Sequence, residues 1–177
     1  STRRNTLFPY TTLFRSELRC EPINAGNFAP FGKVMTTDGA ELRLINGGTT
    51  ERFHALATAD TETEDGRTIV SLFRGQPRKL PYQVGMMERH PLGSQAFFPL
   101  SDREWIAVVA PDENGRPGQP RAFLVPGDIG LQYGRNVWHH PLIALGDVSD
   151  FLVVDRDGPG SNLEEADYPA PYNLLAP

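Results

Sequence analysis

Along this chain apolar residues gather in short runs, and each run ends in a cluster of Gly, Pro, Asn or Asp. β-prone runs stand at Lys33–Met35, Glu41–Asn46, Arg52–Ala57, Thr68–Phe73, Tyr82–His90, Ser94–Pro99, Trp105–Ala110, Ala122–Val125, Gly130–Tyr133, Val137–Leu142 and Ser149–Asp155. The separators include Gly47-Gly48, Gly75-Gln76-Pro77, Pro91-Leu92-Gly93 and Pro126-Gly127-Asp128. Many short strands at this spacing predict an all-β sandwich or barrel. No interior segment holds a 3.6-residue period beyond a few turns, which argues against βαβ architectures. One helical turn is expected within Ala25–Phe31, capped by Asn24 and ended by Pro30 and Gly32. The polar stretch Asp60–Arg67 predicts an exposed loop, and Asp112–Gly118 a long hairpin tip. Ser161–Pro177, acidic and then proline-rich, is expected to be an extended tail that wraps a neighbour or trails. With no internal repeat and no linker, residues 17–177 predict one domain.

Composition narrows the partners more than the fold. The 177 residues carry 17 Lys and Arg against 22 Asp and Glu, a net charge of −5. No basic block accompanies that acidic balance, which argues against nucleic acid or an anionic membrane surface. Seventeen glycines and 16 prolines exceed the usual share of about 12% for the pair, as a turn-rich chain requires. The single cysteine, Cys20, cannot build a disulfide framework, so a reducing, cytoplasmic setting is expected. Nothing in the sequence approaches the 18 consecutive apolar residues of a membrane-spanning helix.

The first sixteen residues stand apart. Arg3, Arg4 and the run after them imitate an export signal, but Pro9, Thr11 and Thr12 break the apolar part and no small-residue cleavage site follows. Thr6–Ser16 reads TLFPYTTLFRS, the translation of a widely used short-read sequencing adapter in one frame. Residues 1–16 are therefore expected to be a non-native segment without a matching groove in the fold.

Histidine is the commonest metal ligand and a base near neutral pH, so the four histidines carry most of the candidate chemistry. In Glu88-Arg89-His90 on a strand, Glu88 and His90 share a face, and Pro91-Leu92-Gly93 then returns Gln95 and Phe97 on one face of the next strand. A carboxylate, an imidazole and an amide oxygen form a plausible O/N set for a divalent first-row metal. His139 and His140 are adjacent, so on a regular strand only one of them faces inward. The residues alone leave open that Glu88 is a surface acid and His90 an ordinary strand-end histidine.

The order Glu88-x-His90, Gln95, then Asn136-Val137-Trp138-His139 resembles the two metal motifs of the cupin barrel. Glu88 stands where the first histidine of that pattern would be, and Gln95 where its glutamate would be. Longer blocks are more specific. Ile45-Asn46-Gly47-Gly48, Glu51-Arg52-Phe53-His54, Glu88–Phe97, Arg135–Leu142 and Asp150–Arg156 are similar to the ureidoglycolate lyase family, in order, from about Phe28 to Asp157.

The resemblance implies an all-β cupin-like double-stranded barrel, or jelly roll, with a short N-terminal helical turn. It also implies a carbon–nitrogen lyase that splits (S)-ureidoglycolate to glyoxylate and urea in allantoin and purine degradation, and a homodimer. His90, Glu88, Gln95 and His139 are the metal shell it implies, with nickel the first expectation and manganese the second. Glu88 or His140 is then the expected proton shuttle, with His90 counted among the catalytic residues. Arg52 or Arg135 is expected to hold the substrate carboxylate, and His54 and Asn46 its ureido end. Two other readings of the same residues stay open. One is a different metal-dependent cupin enzyme, a sugar-acid isomerase or a dioxygenase. The other is a non-catalytic cupin that binds a small carboxylate.

Overall fold

The computed structural model of the chain describes residues 16–177, so the reading of residues 1–16 as adapter-derived lies, Ser16 apart, outside the described residues. Two largely antiparallel sheets form a nearly closed barrel. One runs in the order Glu17–Leu18, Glu164–Leu174, Tyr82–Arg89, Trp138–His139, Trp105–Ala110, Arg121–Val125 and Cys20–Pro22, with Ile143–Ala144 also pairing with Trp105–Ala110. The other runs Gly32–Met35, Gly130–Tyr133, Gln95–Pro99, Ser149–Asp157 and Arg67–Gly75. This is the all-β, cupin-like jelly roll expected.

The strand Trp105–Ala110 shows why the barrel holds. Its odd residues Trp105, Ala107 and Val109 enter the barrel core with Phe97, Phe123, Leu131, Phe151 and Val153. Its even residues Ile106, Val108 and Ala110 enter a second core outside the sheet with Leu18, Val84, Met87, Trp138 and Leu174. Buried on both faces, the strand reads as an unbroken apolar run rather than an alternating one. Each large side chain so buried contributes about 1.5–3 kcal/mol.

The second core needs a cover, and the C-terminal segment supplies it. Glu164–Leu174 is a strand paired antiparallel with Tyr82–Arg89, where the sequence predicts only a tail. The prolines Pro169 and Pro171 obscure it. They fall in a register shift between Asp167 and Tyr172, where a missing N–H breaks no ladder bond. The run Val137–Leu142 also differs, since only Trp138–His139 and Ile143–Ala144 pair as strands. The helical turn Ala25–Phe28 forms as expected, with Asn24 and Asn27 capping each other at 2.9 Å. Asp60–Arg67 is more than a surface loop: Thr61 is buried, and the Asp60 carbonyl accepts from Ser94 N–H at 2.8 Å.

Glu41–Ile45 and Thr50–His54 form a separate two-stranded hairpin, an arm that joins neither large sheet. Its turn Asn46-Gly47-Gly48 has φ of 54°, 68° and 89°, a left-handed path that the two glycines take without strain. Register Leu42↔Phe53 and Arg43↔Arg52 places Leu42, Leu44 and Phe53 on one face and Arg43, Arg52 and His54 on the other.

Candidate metal and active site

The site is assembled from the turn after Tyr82–Arg89 and from the short strand Trp138–His139. His139 lies opposite Glu88 in the ladder. Trp138 points into the outer core, so His139 points the other way, where its ring stacks on Tyr133 at 4.4 Å between centroids and 14° between planes. The His90 ring is 5.2 Å from that of His139, centroid to centroid. One ligand atom each from Glu88, His90 and His139 lies within 4.8 Å of the other two. Gln95 pairs across from Tyr133 and lines the same cavity as Glu88, a space of about 480 Å³.

Each imidazole is oriented by its other nitrogen. His90 Nδ1 lies 2.7 Å from the Asn162 carbonyl and His139 Nδ1 lies 2.9 Å from the Val137 carbonyl. A carbonyl only accepts, so both Nδ1 atoms carry the proton and both Nε2 atoms present lone pairs. Gln95 is set likewise: its amide N–H donates to Asp155 Oδ2 at 3.3 Å, leaving Oε1 for the cavity. His90 Nε2, His139 Nε2 and Gln95 Oε1 are all buried without a hydrogen-bond partner among the described residues. Each such acceptor costs about 1–3 kcal/mol if left unsatisfied. A cation between the two imidazoles would relieve both Nε2 atoms at once. Two imidazole nitrogens and a carboxylate therefore fit a divalent metal, and Glu88, His90 and His139 form the triad that could hold it, with Gln95 lining the cavity beside Glu88.

Burial alone would raise the Glu88 pKa, but contact with His139 and the nearby His90 and His140 rings, acting when these imidazoles carry a second proton, outweighs it and holds the carboxyl below its ordinary value. The Glu88 Oε1 to His139 Nε2 distance is 3.5 Å. Tyr133 is fully buried, and its phenol is pushed up by burial and by the Glu88 charge, so it stays protonated.

The other expected site residues lie elsewhere. His140 is buried beside Tyr82, with Nδ1 2.7 Å from the Pro141 carbonyl and Nε2 3.5 Å from the Tyr82 hydroxyl. Burial lowers its pKa, so the ring is held neutral. Arg135 is spent on Asp60, both of whose carboxylate oxygens it engages, one through Nε at 2.9 Å. Asn46, Arg52 and His54 all sit on the arm, where the Asn46 amide reaches Thr50 Oγ1 at 3.2 Å. Within one chain these three are not brought together with the Glu88, His90, Gln95 and His139 group.

Two supporting residues escaped the sequence reading. Asp155 orients Gln95, and its signal was phase: it continues the inward series Phe151, Val153 with a carboxylate. Asn162 anchors the turn twice, through its carbonyl to His90 and through Oδ1, which accepts from Leu92 N–H at 2.8 Å. No local pattern marks Asn162, because its partners lie some 70 residues away.

A model of the ureidoglycolate lyase family matches residues 15–175. The chain belongs to the ureidoglycolate lyase family. The ureidoglycolate lyase of Rhizobium leguminosarum bv. trifolii (strain WSM2304) is 60% identical over 160 residues, covering 90% of this chain and 96% of that protein. The enzyme of the same name from Rhizobium etli (strain CIAT 652) matches to the same extent. That of Burkholderia mallei (strain NCTC 10229) is 57% identical over 152 residues, covering 86% of this chain and 89% of its own length. Membership in the ureidoglycolate lyase family makes the Glu88–Phe97 and Arg135–Leu142 blocks the natural place to look for its chemistry, and these are the blocks that the fold joins at the cavity.

Proposed function

We propose that this protein is a ureidoglycolate lyase that splits (S)-ureidoglycolate into glyoxylate and urea in purine degradation. The observation that carries the reading is the convergence of two imidazoles and a carboxylate beside a cavity that Gln95 also lines, in a chain of this family. The substrate carbon bears a hydroxyl, a carboxylate and a ureido nitrogen. Cleavage removes the hydroxyl proton, turns the C–O bond into C=O, breaks the C–N bond and protonates the nitrogen; no water is consumed. His90, His139, Glu88 and Gln95 would hold the ion, nickel first and manganese second. When bound it lowers the hydroxyl pKa and offsets charge on the developing carbonyl oxygen. Glu88, ionised and at the edge of the cluster, is suited to take the hydroxyl proton and return it to the departing nitrogen. Phe73, Phe97 and Leu142 line the apolar side of the cavity and limit water there. His140, outside the cluster and held by Tyr82, is a positioning group for the His139 strand in this reading.

The assay is direct. Purified protein given (S)-ureidoglycolate should release urea and glyoxylate in equal amounts with no oxygen consumed. Oxygen uptake without urea would instead favour a dioxygenase, and binding without turnover a carboxylate-binding module.

We also propose a homodimer working in the cytoplasm. The free, half-buried Cys20 suits a reducing compartment. A lone two-stranded hairpin is only marginally stable in water, and the arm leaves Leu42 and Leu44 50% and 65% exposed. Val70, Leu72 and Leu152 form a second exposed apolar face on the neighbouring sheet. A second copy burying these faces explains both. Sedimentation should give a dimer, shifted toward monomer by Leu44→Asp.

A further inference from the structure

We propose that Arg78 is the anchor for the substrate carboxylate, a role that rests on the lyase reading above. An α-hydroxy acid entering this cavity brings a planar carboxylate that an ion on the triad does not by itself orient, and a guanidinium on the cavity wall can hold it through two N–H donors. Two arginines, Arg74 and Arg78, line the cavity with Glu88 and Gln95. Arg74 is already committed: its Nε and Nη2 donate to the two oxygens of Asp150 at 2.8 and 2.9 Å. Arg89 is likewise spent on Glu164 and Asp112, and Arg135 on Asp60. Arg78 makes no ion pair and no side-chain hydrogen bond among the described residues.

What Arg78 has instead is a fixed base and a guide. Its N–H donates to the Ala144 carbonyl at 2.9 Å, and Pro77 bridges to Ala144, so the backbone is tied to the sheet. Its guanidinium lies over the Tyr82 ring, 5.4 Å from the centroid, a cation–π contact that narrows the positions it samples. Tyr82 in turn packs edge-on against His140, with 5.4 Å between ring centroids. The result is an open guanidinium fork at the cavity, whose planar geometry matches a carboxylate through two parallel N–H···O bonds. In the sequence this residue sits in Gly75-Gln76-Pro77-Arg78-Lys79, which reads only as a turn.

The test compares glycolate with its neutral amide, glycolamide, as ligands of wild type, Arg78→Gln and Arg78→Lys, by calorimetry on the metal-loaded protein, alongside steady-state urea release. Wild type should bind glycolate more tightly than glycolamide. In Arg78→Gln that preference should shrink roughly 10-fold or more and KM should rise roughly 10- to 100-fold, the range of a lost charge-assisted pair, with kcat nearly unchanged. Arg78→Lys should recover part of the preference. A preference for glycolate undiminished in Arg78→Gln, or an unchanged KM, overturns the assignment. If wild type releases no urea, the lyase reading falls, while the glycolate comparison still decides the role of Arg78.

Discussion

His90 carries two duties on one ring: Nδ1 donates to Asn162 and Nε2 faces the cavity without a partner among the described residues. Its replacement by alanine should therefore abolish glyoxylate release and lower metal content, while circular dichroism and melting temperature stay close to wild type. Near-normal turnover would remove His90 from the site. Asn162→Ala is the subtler probe. It keeps the carbonyl that holds His90 but loses the side-chain bond to Leu92, worth about 1 kcal/mol. A modest stability loss and weaker metal binding should follow, measured by urea unfolding and metal titration. At this scale the sequence was informative where the geometry is local. The i, i+2 spacing of Glu88 and His90 placed both on one face, whereas the choice between His139 and His140 depended on which way Trp138 packs. Asp155, Asn162 and Arg78 depend on contacts far along the chain, which spacing does not encode.

Between elements, the turn that carries the chain from Glu88 and His90 at the edge of one sheet to Gln95 in the other, where a hairpin is expected from sequence, is held by close approach. A methyl at Gly93 would sit 2.8 Å from Arg156 Cβ and 3.3 Å from the Asp60 carbonyl. Arg156 cannot give way easily, because its guanidinium donates to the carbonyls of Thr63, Glu64 and Pro159. Gly93→Ala should cost about 1–3 kcal/mol through overpacking, read as a lower urea midpoint, and should loosen metal binding as the turn shifts. Full stability would show that the turn adapts. The strands themselves were legible from turn chemistry: Trp105–Ala110 and Gly130–Tyr133 match the expected runs residue for residue. Glu164–Leu174 was not, since its prolines argue for a loop until the register shift that accommodates them is seen.

Across the whole molecule, carboxylate–arginine pairs fasten the strands. Glu21–Arg121 ties the Cys20–Pro22 strand to Arg121–Val125, and Asp157–Arg67 and Asp150–Arg74 grip the two ends of one strand pair. In each the guanidinium hydrogen bond lowers the carboxylate pKa from its ordinary value, 4.5 for Glu21 and 3.8 for the two aspartates. A lowered carboxylate pKa adds stability above the ordinary value and loses it as pH falls through the folded one. Urea midpoints should hence be level from about pH 5 to 8, decline below about pH 4, and show a smaller decline at high salt, because these pairs are exposed. The barrel so fastened brings Glu88 and His90 from one strand edge to His139 from another, and an ion shared by the three is the centre of the proposed chemistry. Titrating metal-free protein with nickel tests this most directly. One tightly bound ion per chain is expected in wild type and none of comparable affinity in the His90→Ala, His139→Ala double variant; equal binding by both would contradict the site.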